Sequence, residues 1–222
     1  PTTIVLKLSP AAKFDQRQPT NGRQVTSEDV VESWKRYEAT AAERTTMANK
    51  ANKDAAITDI TAIDKQTVQV KLAFPDALVL SQLAGTGSVW IQPIEGMQGK
   101  IDLTREMRGS GPFYLDKYQR AVGYTFKKNP QWHGGNGRPY LDQVDVPIIP
   151  ERAQTETQFR AKNLHALAVS QENIPTFAKE LPDTKIVTST PSSQGPLLGL
   201  SWAPGQPWQD VRIRRAMSMA MD

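Results

Sequence analysis

The feature that most constrains the fold is the C-terminal run Pro207–Asp222, in which apolar residues recur at helical spacing. Within it, Asp210 is followed by residues that alternate between apolar and basic, and then by small and apolar residues. An acidic residue here can cap a first turn, so the run predicts a capped helix whose apolar face enters a core. The sequence stops within this pattern. Because an apolar helical face needs a partner that buries it, we expect the chain to be a fragment of a larger protein.

The composition is that of a globular protein with many turns. At 222 residues the chain can bury a sizeable core, as one large domain or two small ones. The 16 prolines and 14 glycines favour turns over disorder. The sequence contains no run of about 18 apolar residues that could span a bilayer. The lack of cysteine excludes disulfides and thiolate metal sites, but it does not identify the compartment.

The charged residues do not indicate nucleic-acid binding. The net charge of +4 arises from 27 basic and 23 acidic residues, which are scattered along the chain. A nucleic-acid interface would need clustered basic residues with aromatic residues between them. The densest basic cluster is Arg212, Arg214 and Arg215, which we interpret as a solvated helix face or structural ion pairs. We expect no nucleic-acid partner.

Periodicity predicts that strands and helices alternate along the chain. Thr26 is a predicted N-cap for a helix over Ser27–Thr40, and an Asp64-Lys65 turn joins two alternating runs as a hairpin. The other predicted helices are Pro75–Leu83, Arg152–Asn163 with Asn163 as its left-handed cap, and Ile174–Lys179. The predicted strands are Ile4–Leu8, Ile57–Ile63, Thr67–Leu72, Val89–Ile94, Tyr114–Tyr118, Tyr124–Lys128, Gln143–Ile149, Leu164–Val169, Ile186–Thr190 and Leu197–Trp202. This order predicts an α/β fold with mixed sheets.

The residues argue against an enzyme. The only histidines, His133 and His165, lie on different predicted elements, and neither has a carboxylate at the spacing of a zinc-protease helix. The sequence has no nucleophile elbow or dinucleotide fingerprint. The loop 134–137 lacks the Lys-Ser/Thr pair that a phosphate loop requires. We therefore expect no catalysis, no cofactor and no metal site.

Several ordered motifs carry a resemblance to a known family. They are Ala12–Phe14, Asn21–Arg23, Thr26–Ser33, Asp64–Leu72, Gly109–Phe113, Lys128–Trp132, Pro139–Asp142 and the terminal run. In this order they resemble the family 5 extracellular solute-binding proteins, the peptide-, nickel- and sugar-binding receptors of ABC importers. Two stretches depart from the family pattern. Phe159–His165 lacks its acidic end and Leu200–Ala203 replaces "F-N-T", so ligand specificity is not transferred.

The resemblance implies a periplasmic-binding-protein-like (type II) α/β fold, present only in part. Residues 1–108 would form an extra α/β domain attached to the first lobe, and that domain would be incomplete at its N-terminus. Residues 109–190 would supply the central part of the first ligand-binding lobe. Residues 191–222 would be the hinge crossover and the start of a truncated second lobe.

The resemblance also implies the function and its partners. Such a protein captures a solute, most often a peptide, between two lobes and delivers it to an ABC permease in the membrane. We expect a monomer that is periplasmic or extracellular, with a lipid anchor to the cell membrane left open. A ligand-sensing domain for signalling or adhesion is the alternative. Among the ligands, peptides, oligosaccharides, opines and metal chelates stay open.

The expected ligand-binding residues lie in two segments. By alignment to the family, the loop Ser170–Asn173 and the strand from Gln194 to Trp202 should face the cleft. The candidate residues are Ser170, Gln171, Asn173, Gln194, Leu197, Gly199 and Trp202. The hydroxyl and amide side chains can both donate and accept hydrogen bonds, which suits a peptide backbone. Surface-loop and core-packing roles remain open for each of these residues.

The other four tryptophans are interpreted as structural. Trp34 lies on the inner stripe of the predicted helix, and Trp132 belongs to a turn that ends a strand. Trp90 lies in a predicted strand and Trp208 precedes the terminal helix. We predict that all four pack in the core.

Overall fold

A computed structural model describes residues 1–85, 89–135, 137–187, 199–201 and 203–220. The chain forms two compact units, Pro1–Arg152 and Ala153–Asp222. Each unit is described separately. The domain boundaries predicted after residues 108 and 190 stay a prediction.

The predicted alternation of strands and helices is confirmed, and the fold is α/β. The strands are β1 (Thr3–Lys7), β2 (Ile57–Asp64), β3 (Thr67–Leu72), β4 (Phe113–Gln119), β5 (Gly123–Lys128) and β6 (Gln143–Pro147). The α-helices are α1 (Ser27–Thr40), α2 (Val79–Leu83), α3 (Ile94–Met97), α4 (Arg152–Arg160), α5 (Ile174–Glu180) and α6 (Val211–Ala220). Short 3-10 turns are Ala42–Thr46, Gln171–Asn173 and Pro207–Gln209.

The first unit contains two three-stranded sheets, in the orders β1-β3-β2 and β4-β5-β6. Every strand pair in them is antiparallel. Short turns join β2 to β3 and β4 to β5, and a short turn can only connect antiparallel neighbours. Within the described residues, the predicted parallel pairing is limited to an isolated bridge between Ala48 and Ile57 of β2. The predicted hairpin is confirmed, with the Asp64 carboxylate accepting a hydrogen bond from the Gln66 amide at 2.7 Å.

The largest core cluster lies between α1 and the first sheet. Trp34 is 1% exposed, as predicted, and its ring stacks on Tyr37 with centroids 5.5 Å apart. Val68 and Val70 of β3 and Ile57 of β2 contribute fully buried side chains to the same cluster. One face of α1 therefore supplies large aromatic groups to a sheet whose inner face is aliphatic.

The predicted strand Val89–Ile94 is wrong, because its backbone bonds to α1 instead of to a strand. The Gln92 amide donates to the Ser33 hydroxyl at 2.9 Å, and the Ile94 amide donates to the Asp29 carboxylate at 2.9 Å. The prediction that Trp90 packs in the core is also wrong, since this residue is 69% exposed. Trp132 and Trp208 are half-buried.

Three other predicted elements are shorter than expected or missing. The helix predicted from Pro75 begins only at Val79. The helix from Arg152 ends at Arg160, and Lys162, not Asn163, takes the left-handed conformation with φ 61°. Residues 164–169, all of which are described, form no strand. Of the two last predicted strands, residues 188–190 and half of 197–202 lie outside the described residues.

The predicted terminal helix is confirmed as α6. The Asp210 carboxylate accepts a hydrogen bond from the Arg212 amide at 2.8 Å and forms an ion pair with the Arg212 guanidinium at 2.6 Å. The interpretation of the basic cluster as structural ion pairs is thus confirmed for Arg212. The described apolar side chains of α6 do not enter a core, since Val211 is 49% and Met219 is 87% exposed.

An ion-pair network secures the start of α1. Arg23 donates two hydrogen bonds to Asp29 at 2.6 and 2.8 Å and two to Glu95 at 2.5 and 2.7 Å. The Asp29 side chain is fully buried and also accepts a hydrogen bond from the Thr26 amide at 2.9 Å, so the predicted N-cap is confirmed. Asp29 therefore acts both in a helix cap and in a buried ion pair.

This network makes stability depend on pH. Burial raises the pKa of Asp29, but the hydrogen bonds from Arg23 and from the Thr26 and Ile94 amides outweigh it and leave that pKa below its ordinary value. The Arg23 guanidinium likewise lowers the pKa of Glu95. A lowered folded-state pKa means that the unfolded chain binds protons first as the pH falls. The contribution to stability is therefore complete above the ordinary carboxyl pKa, about 4, and is lost as the pH falls through the lower folded-state values.

We expect the free energy of unfolding, measured by urea titration, to fall between about pH 5 and pH 2. A Glu95→Gln variant, which has one titrating group fewer in the network, should show a shallower fall. Asp54→Asn, which changes an exposed carboxylate outside the network, should keep the wild-type slope. A Glu95→Gln slope equal to that of wild type would contradict the assignment.

Candidate functional site

The loop predicted to bind ligand forms one 3-10 turn in the second unit. Gln171–Asn173 is the turn, Ser170 precedes it, and α5 begins directly after it. The Ser170 carbonyl accepts a hydrogen bond from the Asn173 amide at 2.9 Å, which closes the turn. Pro175 lies in the first turn of α5, where its fixed φ favours a helix start. Local sequence therefore holds the three candidate side chains of this loop close together.

The three side chains differ in exposure and in hydrogen bonding. The Ser170 hydroxyl oxygen is buried and has no hydrogen-bond partner within the described part of the chain. The Gln171 side chain is exposed. The Asn173 amide donates to the Glu156 carboxylate on α4 at 3.3 Å. Within the described part of the chain, the turn thus holds one buried hydroxyl without a partner and two amides, of which that of Gln171 is exposed. These groups can both donate and accept hydrogen bonds.

The second predicted segment is described only in part. Gly199 is exposed. Gln194, Leu197 and Trp202 lie outside the described residues. Their grouping with the Ser170–Asn173 turn around one ligand stays a prediction.

An open cavity of about 740 Å³ lies within the second unit beside this turn. Its walls come from the end of α4, the length of α5 and the segments 162–169 and 181–187. Val169 and Ile174, which flank the turn, both line it. The lining is mainly apolar and includes several cationic side chains. The residues are Phe159, Arg160, Lys162, Leu164, His165, Ala166, Leu167, Val169, Ile174, Phe177, Leu181, Asp183, Thr184, Lys185, Ile186 and Val187.

Arg160 fixes α4 against α5 at the edge of the cavity. Its guanidinium lies 4.4 Å from the centre of the Phe177 ring and pairs with Glu180 at 2.9 Å and with Glu156 at 3.6 Å. Glu180, with a smaller effect from Glu156, raises the pKa of Arg160 above its ordinary value. Phe177 is 4% exposed and is the buried anchor of α5. The Phe177 ring and the ion pairs of Arg160 therefore stabilise the wall of the cavity that α4 and α5 form.

The sequence reasoning missed this cavity and the role of Glu156. The spacing of Ile174, Phe177 and Leu181 places three apolar side chains along one side of α5. This spacing is sufficient to predict an apolar wall next to the polar turn. The hydrogen bond between Asn173 and Glu156 joins residues 17 apart in sequence, and no local pattern indicates it.

Two features are absent from the described part of the chain. None of the helices is long and apolar enough to cross a bilayer. The described His, Asp and Glu side chains form no group of three or more that could hold a metal ion.

Comparison with known proteins identifies relatives along the whole chain. The profile "Bacterial extracellular solute-binding proteins, family 5 Middle" matches residues 1–222. The probable D,D-dipeptide-binding periplasmic protein DdpA of Escherichia coli (strain K12) is 30% identical over 171 residues, which cover 73% of this chain and 32% of DdpA. The chain thus spans about a third of the length of this relative.

Solved structures show the same fold. The protein MoaA from A. tumefacien R10, in complex with mannopinic acid, aligns with a TM-score of 0.66 and 23% identity, over 82% of this chain and 35% of MoaA. The periplasmic binding protein DppA from Helicobacter pylori, in complex with the peptide STSA, aligns with a TM-score of 0.65 and 20% identity, over 80% of this chain and 37% of DppA. The α/β arrangement is thus that of periplasmic binding proteins. With the profile matched from end to end, the chain belongs to family 5 of the bacterial extracellular solute-binding proteins.

Proposed function

We propose that this protein is the substrate-binding component of an ABC importer and that its solute is a peptide. The family match supports a solute-binding role. Two relatives favour a peptide, since one is named as probable D,D-dipeptide-binding and another holds the peptide STSA, while MoaA holds mannopinic acid. Solute-binding proteins of this kind are periplasmic or extracellular, and we propose the same location, with or without a lipid anchor.

The observation that carries the proposal is the buried hydroxyl of Ser170 in the turn Ser170–Asn173, which has no hydrogen-bond partner among the described residues. A buried hydroxyl without a partner costs about 1–3 kcal/mol, so a ligand that supplies the partner recovers part of this cost. A peptide backbone alternates donors and acceptors, and the nearby Gln171 amide can meet either kind. The apolar cavity that begins at Val169 and Ile174 would receive an apolar peptide side chain.

In the proposed mechanism the binding energy closes two lobes. Residues 109–190 would supply part of one lobe and 191–222 would begin the other, while 1–108 would be the additional domain. A peptide that contacts both lobes binds the closed state better and shifts the population towards it. The closed, monomeric protein would then dock on a membrane permease, which receives the peptide.

The first test is a thermal-shift screen of the full-length protein against peptides, oligosaccharides and nickel chelates. A ligand that binds only the folded state at about 100 times its Kd adds roughly 2.7 kcal/mol of stability. We expect a clear rise in Tm with peptides alone. A rise with only oligosaccharides or chelates would contradict the peptide proposal. Peptide uptake that does not require an ABC permease would contradict the importer proposal and favour a sensing role.

The Ser170→Ala variant tests the turn itself. We expect peptide affinity to fall about tenfold, because one hydrogen bond to the ligand is lost, while the ligand-free protein keeps or gains stability since an unsatisfied hydroxyl is removed. Calorimetric titration and urea unfolding measure the two effects. Ser81→Ala, which truncates an exposed serine on α2, is the matched control and should change neither quantity. Unchanged affinity in Ser170→Ala would remove this residue from the site.

A further inference from the structure

A second cavity lies in the first unit, where the C-terminal half of α1 meets the segment that carries Trp90. Its volume is about 280 Å³, close to the lower end of small-molecule sites. The lining residues are Ser33, Arg36, Tyr37, Thr40, Ala41, Glu43, Trp90 and Gln92. The Trp90 residue is 69% exposed, although tryptophan is usually largely buried. An exposed indole on the wall of a cavity is a surface on which a flat ring can stack.

The cavity walls are fixed by hydrogen bonds between the two segments. The Ser33 hydroxyl accepts from the Gln92 amide at 2.9 Å and donates to the Asp29 carbonyl at 2.7 Å. Two residues further along, the Ile94 amide donates to the buried Asp29 carboxylate at 2.9 Å. Hydrogen bonds therefore hold the segment that carries Trp90 against α1 just after this residue. Ligand binding then requires little further ordering of the segment.

Two polar groups in the cavity indicate what the ligand must carry. The side-chain amide oxygen of Gln92 is buried and has no hydrogen-bond partner among the described residues, so it requires a donor. The Arg36 guanidinium forms no ion pair within the described part of the chain and can bind an anion. The Tyr37 hydroxyl is already used, since it donates to the Glu43 carbonyl at 2.7 Å.

We propose that this cavity is a second ligand site, which takes a single planar ring that bears an anionic group and a hydrogen-bond donor. The ring stacks on Trp90, the anionic group pairs with Arg36, and the donor bonds to the Gln92 amide oxygen. The Glu43 carboxylate also lines the cavity and therefore favours a hydrogen-bond donor over a second anionic group on the ligand. This site uses none of the residues of the Ser170–Asn173 turn and does not rest on the importer proposal.

The probe for the test is 4-aminobenzoate, which carries a ring, a carboxylate and a ring-bound amine. With the full-length protein we expect saturable binding with a Kd on the order of 1 mM or tighter, and a shift of the Trp90 indole resonance. Benzoate lacks the donor and aniline lacks the anion, so each should bind about tenfold more weakly. Trp90→Ala should weaken 4-aminobenzoate about tenfold, while Trp90→Phe, which keeps a ring, should lose less.

Two further variants separate the polar contributions. Gln92→Leu should abolish the preference for 4-aminobenzoate over benzoate, and Arg36→Gln should abolish the preference over aniline. Leu78→Ala removes another exposed apolar side chain, 62% exposed and outside the cavity, and should bind like wild type. Far-UV circular dichroism confirms that each variant is folded.

Four outcomes would overturn the proposal. One is binding that does not saturate, and another is unchanged affinity in Trp90→Ala. The third is an equal loss in Leu78→Ala, which would indicate non-specific adsorption. Loss of 4-aminobenzoate binding in Ser170→Ala, with retention in Trp90→Ala, would place the probe in the peptide site and also contradict the proposal.

Discussion

Replacement of Arg23 by methionine is expected to lower the free energy of unfolding by about 3–5 kcal/mol, because it leaves a buried carboxylate without its cation. The Asp29 side chain is 0% exposed and that of Glu95 is 14% exposed. Arg23 lies between them and makes two hydrogen bonds to each. Without the guanidinium the two carboxylates repel each other, and Asp29 keeps only the Thr26 and Ile94 amides and the Thr26 hydroxyl as donors. Urea unfolding at neutral pH measures the loss.

The controls for this variant test charge and geometry separately. Arg23→Lys keeps the charge but cannot bond in a fork to two carboxylates, so we expect an intermediate loss. Adding Glu95→Gln to Arg23→Met removes one unpaired charge and should recover part of the stability. Arg105→Met, at a site 81% exposed with an ion-pair distance of 3.8 Å, should change stability by at most about 0.5 kcal/mol. A loss below about 1 kcal/mol in Arg23→Met would show that the network is not a stabilising unit.

The elements that could be predicted from sequence are those whose signals are local. The helix over Ser27–Thr40 has its cap, acidic first turn and apolar stripe within one window, and α1 has the predicted bounds. The hairpin of β2 and β3 alternates in both strands around a short turn, and the structure agrees. In both cases the signals lie within the element itself, so the prediction does not require the partner that buries its apolar face to be known.

The errors occur where a distant residue determines the backbone. The Val89–Ile94 run alternates like a strand, but Ser33 and Asp29 on α1 bind its amides. In the sequence Asp29 stands out only as an acidic residue in the first turn of the helix. Arg23 pairs with Asp29, six residues away, and with Glu95, 72 residues away. Such pairs leave no periodic pattern in the sequence.

The candidate peptide site could be predicted only in part, and mainly from the family resemblance. Ser170, Gln171 and Asn173 are polar residues in a polar loop, and composition alone does not separate them from an ordinary surface turn. The structure adds the buried Ser170 hydroxyl, which lacks a partner in the part of the chain that is described, and the hydrogen bond between Asn173 and Glu156. Neither is visible in the sequence. The expected partners Gln194, Leu197 and Trp202 remain predictions because they lie outside the described residues.

Arg17 gives the second large expected effect, because it connects the residues predicted as the additional domain to those predicted as the first lobe. It forms an ion pair at 2.9 Å with Asp15, whose side chain is 1% exposed. Its other nitrogens donate to the carbonyls of Met107 and Leu115, and its guanidinium lies 4.7 Å from the centre of the Tyr114 ring. Arg17→Met should therefore lower the free energy of unfolding by about 3–5 kcal/mol, as measured by urea titration.

The lost stability in Arg17→Met should be accompanied by local opening, because Arg17 is a point of contact between the two predicted domains. Amide hydrogen exchange should accelerate in the segments 13–24 and 107–115 more than in the hairpin of β2 and β3. Arg105→Met is the matched control here too, since this arginine is 81% exposed and its partner Asp102, 52% exposed at 3.8 Å, is not a buried carboxylate. If exchange accelerated equally throughout the first unit, residues 1–108 and the residues after them would unfold together. The first unit would then be one cooperative domain, and the predicted boundary after residue 108 would have no meaning for stability.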